Sequence, residues 1–125
     1  MNVKQLKLLI IDDEEILSMM LKEYLEDMNM YVVTAECGKE GLDALAAESF
    51  DAVIVDMRLP DMDGDDFIKT ASATYSGIEF FIHTGSHDYK LPDELVKLGM
   101  TTDSIFFKPI SDMDIIYQRI MHSNS

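Results

Sequence analysis

Carboxylates stand directly after two largely apolar runs of the chain, at points where a buried strand would end. The run LKLLII (6–11) is followed by Asp12 and Asp13, and the run AVIV (52–55) is followed by Asp56. Two carboxylates about 4 Å apart repel by about 4 kcal/mol at an effective dielectric near 20. A fold that brings three of them together therefore needs positive charge, which a divalent cation with oxygen ligands would supply.

Two other side chains with useful chemistry end later apolar runs. Thr84 ends IEFFIHT (78–84), and Lys108 ends SIFFK (104–108). The lysine supplies one positive charge, and oxygen ligands suit Mg²⁺ better than Zn²⁺. A carboxylate beside a metal can attack phosphorus, and phosphoryl transfer needs mainly positioning and charge neutralisation. If the strand ends converge, this combination predicts phosphoryl transfer to an aspartate.

The elements that would position these residues alternate along the whole chain. Period and composition predict strands at 6–11, 30–35, 50–56, 78–84 and 104–108, and helices at 14–29, 38–49, 65–75, 91–98 and 111–122. We expect Ser111 to cap the last helix and Pro92 to occupy the first turn of a short fourth helix. Parallel strands need such helical connections, so the prediction is an α/β fold with one doubly wound, five-stranded parallel sheet. Ligands of such sheets bind at the carboxyl ends of the strands.

Length and composition limit the alternatives. The 125 residues, 47% of them hydrophobic, suit a single domain over 1–125 with its core at about 5–122. The net charge of −14 disfavours direct binding of nucleic acid or of an anionic membrane. No apolar run is long enough to span a bilayer, and the N-terminus does not resemble a signal peptide, so we expect a cytoplasmic protein. The single cysteine, Cys37, excludes an intrachain disulfide.

Each of the candidate residues has a simpler interpretation when it is taken alone. Asp12 and Asp13 could cap the first helix, Asp56 could be a cap or turn residue, Thr84 could be an ordinary strand residue, and Lys108 could be a surface lysine. Four such coincidences at four strand ends of one sheet are better explained by a single site.

The motifs together resemble a known family. IIDDE (10–14), VDMRLPDMDG (55–64), HTG (83–85) and FKP (107–109), in this order, are similar to the receiver domain of bacterial two-component response regulators. The resemblance extends over residues 5–122. It implies a flavodoxin-like (βα)5 fold with strand order 2-1-3-4-5.

The resemblance implies a metal site and a phosphoacceptor. Asp56 corresponds to the residue that accepts the phosphoryl group. Asp13 corresponds to a direct ligand of Mg²⁺, or alternatively Mn²⁺, and Asp12 to the residue that places a metal-bound water. The backbone carbonyl of Arg58 would complete the protein ligands.

The resemblance also implies a signalling mechanism. Lys108 would pair with the phosphoryl group, Thr84 would move toward it, and the peptide bond from Lys108 to Pro109 would be cis. The family usually has Tyr or Phe where this chain has Ile105, a stiff β-branched side chain without a hydroxyl. This departure puts the usual coupling between threonine and aromatic ring in question.

Two residues flank the expected phosphoryl position. Arg58 lies two residues after Asp56, and Ser86 lies two residues after Thr84. The resemblance implies that such positions tune hydrolysis of the acyl phosphate. We hypothesise that Arg58 shields or contacts the phosphoryl group.

The expected partners follow from the same resemblance. A histidine kinase or histidine phosphotransfer protein would donate the phosphoryl group, and a downstream protein or a fused output domain would respond, with phosphorylation-dependent dimerisation as one route. The chain would act as a switch that catalyses its own phosphorylation and dephosphorylation rather than as an enzyme. The alternative is a pseudo-receiver, a protein-interaction module that works without phosphorylation. A haloacid-dehalogenase-like phosphatase is disfavoured because Arg58 stands where that family needs an acid.

Overall fold

Five strands and five helices alternate in the computed structural model, which describes residues 5–123. The strands are β1 (Lys7–Ile11), β2 (Tyr31–Ala35), β3 (Ala52–Asp56), β4 (Glu79–Thr84) and β5 (Ile105–Phe107). The helices are α1 (Glu15–Asp27), α2 (Gly38–Ala47), α3 (Gly64–Thr74), α4 (Asp93–Val96) and α5 (Met113–Ser123), and a 3₁₀ turn, Thr102–Ser104, precedes β5. All strands are parallel and lie in the order β2-β1-β3-β4-β5. The fold class and the strand order are therefore confirmed.

The central strand β3 explains why its sequence is a continuous apolar run. Every residue of β3 is buried, because helices cover both faces of the sheet. Val53 and Val55 face the core beneath α2 and α3, while Ile54 faces the core beneath α1 and α5. A strand with one solvated face would instead alternate apolar and polar residues.

The register of the sheet holds all the strand ends along one edge. Asp56 pairs with His83 across β3 and β4, and Thr84 pairs with Phe107 across β4 and β5. Backbone hydrogen bonding between β4 and β5 continues past the end of β5, since the Lys108 N–H donates to the Thr84 carbonyl at 2.8 Å. The residues that leave the strands therefore keep a defined position relative to one another.

Two local expectations about helix starts were wrong. Helix α5 begins at Met113, and its start is capped by Asp112, whose Oδ1 accepts the Asp114 N–H at 2.9 Å. Ser111 lies one residue too early to serve as this cap, and an aspartate fills the role as well as a serine does. Helix α4 is short, as expected, but Pro92 lies at its N-cap rather than in its first turn. No helix within residues 5–123 combines the length and apolarity that crossing a membrane would require.

Gly64 sets the path of the chain between β3 and α3. A Cβ at Gly64 would lie 2.7 Å from the Asp56 carbonyl oxygen and 3.1 Å from the Met57 Cα. The Gly64 N–H donates to the Met57 carbonyl at 2.7 Å. Because the obstructing atoms are backbone, they cannot rotate away from a side chain. Only glycine lets α3 begin this close to the end of β3.

Asp61 joins the same loop to the neighbouring helix. One carboxylate oxygen accepts the Gly38 N–H at 2.8 Å and the other accepts the Lys39 N–H at 2.9 Å. These two bonds satisfy free N–H groups at the start of α2, and they lower the pKa of Asp61. Asp61 is thus a helix cap supplied from another element.

Replacing Asp61 by Ala is expected to lower the melting temperature by a few degrees, because two helix-terminal N–H groups lose their acceptor. Circular dichroism melting curves measure the change. Asp63→Ala is the matched control, since Asp63 is exposed, lies in the same loop and makes no side-chain capping bond. The difference between the variants should disappear as the pH falls through the lowered pKa of Asp61. Equal melting shifts at neutral pH would contradict the capping role.

Candidate functional site

Three carboxylates meet at the carboxyl edge of the sheet. Oxygens of Asp12, Asp13 and Asp56 all lie within 4.8 Å of one another. Asp12 follows β1 and Asp56 ends β3, so the pairing of these two strands brings the acids together. Asp12 and Asp56 are buried, whereas Asp13 is exposed. The convergence expected from the strand order is therefore present.

Lys108 lies against this cluster. Its Nζ is 3.2 Å from Asp12 Oδ2 and 3.5 Å from Asp56 Oδ1. The lysine side chain is only 14% exposed and lines the same cleft as Asp56. The peptide bond between Lys108 and Pro109 is cis, as the resemblance implied.

Sequence reasoning missed Glu14 as a member of the site. Glu14 Oε1 lies 2.7 Å from Lys108 Nζ, the shortest of the lysine's three carboxylate contacts in the described part of the chain. Its backbone N–H donates to Asp12 Oδ1 at 2.9 Å. Glu14 was visible in the motif IIDDE, but it resembled one more acid at a helix start.

Thr84 is buried at the end of β4. Its Oγ1 accepts the Ser86 N–H at 3.1 Å, so the hydroxyl and the following loop are directly connected. Thr84, Ser86 and Arg58 line the same open cleft as Asp56. Within residues 5–123, nothing apart from Gly85 and its two chain neighbours lies within 4 Å of a Cβ built on Gly85, so the cleft has free space at this point.

Ile105 and its neighbours occupy different faces of β5. Ile105 is buried and pairs with Ile82 in the sheet register. Phe106 points to the opposite core, where its ring stacks on Phe81 with centroids 5.4 Å apart. Phe107 is on the same face as Ile105 but is 40% exposed, and it stacks on His87. Of the two aromatic residues that follow Ile105, the one on the same face of β5 is therefore partly exposed to solvent.

The electrostatics of the cluster indicate an excess of negative charge. Burial and the charge of Asp12 raise the pKa of Asp56 to about 6, although Lys108 and the Arg58 N–H oppose this. Burial raises the pKa of Asp12 as well. Burial would lower the pKa of Lys108, but its bond to Glu14 and the charges of Asp12 and Asp56 outweigh burial and raise it. One ammonium thus only partly neutralises the site.

His83 contributes no second positive charge. The ring is almost fully buried, and Nδ1 lies 3.9 Å from Asp12 Oδ2. Burial and the nearby Lys108 lower the pKa of His83 to about 4, so the ring is neutral near pH 7. Within residues 5–123, Nε2 finds no hydrogen-bond partner. His83 is therefore a buried, neutral residue beside the cluster.

The donor set fits a hard divalent cation. Carboxylate oxygens from three residues converge, one carboxylate is open to solvent, and the net charge of the cluster is negative. Mg²⁺ prefers such oxygen ligands and retains several waters, which the open cleft accommodates. The geometry is less suited to Zn²⁺, which favours nitrogen and sulfur ligands.

Comparison with known proteins identifies the family. The family model of the response regulator receiver domain matches residues 8–120. The transcriptional regulatory protein GlrR of Escherichia coli is 34% identical over 120 residues, which cover 96% of this chain and 26% of that protein. The sensory/regulatory protein RpfC of Xanthomonas campestris is 39% identical over 68 residues, covering 54% of this chain and 9% of that protein. The chain thus spans about a quarter of GlrR and a smaller share of RpfC.

Solved structures agree with this result. A CheY-like receiver domain from Methylobacillus flagellatus superposes with a TM-score of 0.83 at 25% identity, covering 98% of this chain and all of that one. The chemotaxis response regulator CheY4 of Vibrio cholerae, at 24% identity and a TM-score of 0.82, covers 95% of this chain and 98% of its own, and it supports the fold alone. Since the family model matches nearly the whole chain, this protein belongs to the response regulator receiver domain family.

Proposed function

We propose that this receiver domain is a phosphorylation switch whose acceptor is Asp56. A histidine kinase or histidine phosphotransfer protein donates the phosphoryl group, with Mg²⁺, or alternatively Mn²⁺, in the acid cluster. The observation that supports the proposal is the convergence of Asp12, Asp13 and Asp56 beside Lys108. Three carboxylates beside a single ammonium repel one another, and a bound cation would offset this repulsion.

In the proposed reaction, a carboxylate oxygen of Asp56 attacks the phosphorus of a phosphohistidine. An O–P bond forms, the P–N bond breaks, and the departing imidazole recovers a proton. Asp13, Asp56 and the Arg58 carbonyl would hold the metal, and Asp12 would orient its water. The metal supplies positive charge that offsets the oxygens of the acids and of the transferred group. Lys108, already near Asp56, pairs with a phosphoryl oxygen.

The proposed signal starts at Thr84. In the unmodified protein its hydroxyl oxygen accepts the Ser86 N–H. Turning toward a phosphoryl oxygen would make Thr84 a donor and change the position of the loop that follows β4. Ile105 is buried and stiff, so we propose that this chain passes the change through the loop backbone rather than through an aromatic swing at that position.

The proposed partners and location are those of a signalling module. The relatives include transcriptional regulatory proteins and a sensory/regulatory protein, each longer than this chain. We propose that a downstream protein or a fused output domain reads the phosphorylated surface in the cytoplasm, with dimerisation as one route. The net charge of −14 argues against direct contact with nucleic acid.

The wild-type protein is expected to gain one phosphoryl group from acetyl phosphate in the presence of Mg²⁺, because the cation offsets the excess charge of the acids. Intact mass spectrometry measures the gain. The modification should be lost when EDTA is added and in the variant Asp56→Asn. In Lys108→Ala the rate of modification should fall at least about tenfold, since a charge-assisted contact contributes about 1.5 kcal/mol or more. Asp63→Asn is the control with the same change of charge. Absence of modification in wild type with several donors would support the pseudo-receiver alternative.

Arg58→Ala is expected to speed hydrolysis of the acyl phosphate by about threefold, equivalent to about 0.7 kcal/mol, because the side chain shields the phosphoryl position from water. Decay of the phosphorylated mass with time measures the rate. Lys97→Ala is the matched control, because it removes the same charge at an exposed position, the C-cap of α4. An unchanged rate in Arg58→Ala would reject the shielding role.

Asp56→Asn is expected to stabilise the metal-free protein at pH 7.5 by about 1–3 kcal/mol, since a tenfold change in proton affinity corresponds to about 1.4 kcal/mol. The pKa of Asp56 lies above its usual value of 3.8, at about 6, so the folded state binds its proton more tightly than the unfolded state does. The contribution of protonated Asp56 to the stability of the folded state is therefore complete below about pH 4 and is lost as the pH rises through about 6.

Urea unfolding in EDTA at pH 4 and pH 7.5 measures this effect. The difference between Asp56→Asn and wild type should be large at pH 7.5 and near zero at pH 4. Titration of His83 affects both proteins alike and cancels in the difference. A wild-type protein as stable as the variant at pH 7.5 would contradict the excess of negative charge.

A further inference from the structure

The shortest carboxylate contact of Lys108 in the described part of the chain is with a residue outside the acid cluster. Glu14 Oε1 is 2.7 Å from Lys108 Nζ, compared with 3.2 Å for Asp12 and 3.5 Å for Asp56. The lysine has three N–H donors, and three carboxylates now surround them. A phosphoryl group on Asp56 needs at least one of those donors. The phosphoryl group can replace the 3.5 Å contact to Asp56, but it gains a further N–H donor only if Asp12 or Glu14 also gives way.

The solvent exposure of the three carboxylates indicates which of them can release Lys108. The Glu14 side chain is 57% exposed, whereas Asp12 and Asp56 are 3% and 10% exposed at their side chains. Glu14 can rotate into water and be solvated there. Breaking the contact to Asp12 would instead leave a buried charge without its partner, which is strongly unfavourable.

The position of Glu14 is defined by its backbone as well as by its side chain. The Glu14 N–H donates to Asp12 Oδ1, and the Glu14 carbonyl accepts the Ser18 N–H at 3.0 Å as α1 begins. Asp12 thus contacts both Glu14 and Lys108. The mutual contacts of Asp12, Glu14 and Lys108 place the Glu14 side chain beside the ammonium. The contact between Glu14 and Lys108 therefore follows from the fold of the junction between β1 and α1.

We propose that Glu14 is a positioning residue for Lys108, and this inference rests on the proposed phosphorylation of Asp56. Glu14 holds the ammonium against its own carboxylate while Asp56 is unmodified. It releases the ammonium when a phosphoryl oxygen competes for it. Glu14 thereby weakens the binding of the phosphoryl group and keeps the unmodified state favoured.

Two substitutions separate the effect of the Glu14 side-chain length from the effect of its negative charge. Glu14→Gln removes the charge, and Glu14→Asp keeps the charge but shortens the side chain by one methylene. If Glu14 restrains Lys108, both variants release it. If Glu14 only adds negative charge near an anion, Glu14→Asp should behave like wild type. Glu15→Gln is the matched control, because Glu15 is adjacent and exposed, and the ion pairs of Lys108 in the described part of the chain do not include it.

Beryllium fluoride with Mg²⁺ is the probe, since it binds an aspartate as a phosphoryl mimic. Isothermal titration calorimetry at physiological ionic strength is expected to show about two- to fivefold tighter binding in both Glu14→Gln and Glu14→Asp, in line with the modest strength of exposed ion pairs. Glu15→Gln should remain close to wild type. The ¹⁵N signal of the Lys108 ammonium should shift in both Glu14 variants.

Two outcomes would overturn the inference while leaving the proposed function intact. One is a Glu14→Asp affinity equal to that of wild type, and the other is equal tightening in Glu14→Gln and Glu15→Gln. A wild-type protein that binds no beryllium fluoride and gains no phosphoryl group would overturn the proposed function, and this inference with it.

Discussion

The repulsion among three carboxylates at one edge of the sheet is the constraint on which the site depends. Asp12 and Asp56 are buried beside each other, and a single ammonium from Lys108 partly offsets them. The raised pKa values of both acids indicate that the arrangement destabilises the metal-free protein. Functional sites often retain such unfavourable charge because it creates affinity for a ligand of opposite charge. Here the residual charge matches a hard dication.

The rest of the structure keeps these charges in place despite their repulsion. Strand β3, buried on both faces, fixes the backbone of Asp56, and the close approach of Gly64 fixes the chain that follows it. Asp61 then attaches that loop to the first turn of α2. Backbone packing and capping bonds of this kind do not depend on the charge state of the cluster, so the acids can remain close whether or not a cation is bound.

Much of this could be predicted from the sequence because its signals are local. Continuous apolar runs separated by helical patterns indicated a parallel sheet, and acids placed directly after the runs indicated the edge where they would meet. Glu14 was missed because an acid at a helix start has an ordinary explanation in the helix dipole. Its contact with Lys108 joins residues 94 positions apart and depends on side-chain conformations. The expected cap of α5 failed because Ser111 and Asp112 are both good caps, and only the backbone path selects between them.

The sequence by itself determined the order of the elements, the doubly wound class and the acids that stand at strand ends. These follow from hydrophobic period and from the types of residue at each boundary, which are properties of short segments. Only the tertiary structure decided which carboxylate holds Lys108 most closely, which acids are buried and how strongly their pKa values shift. These properties depend on distance and solvent exposure between residues far apart in the chain, and no short segment encodes them.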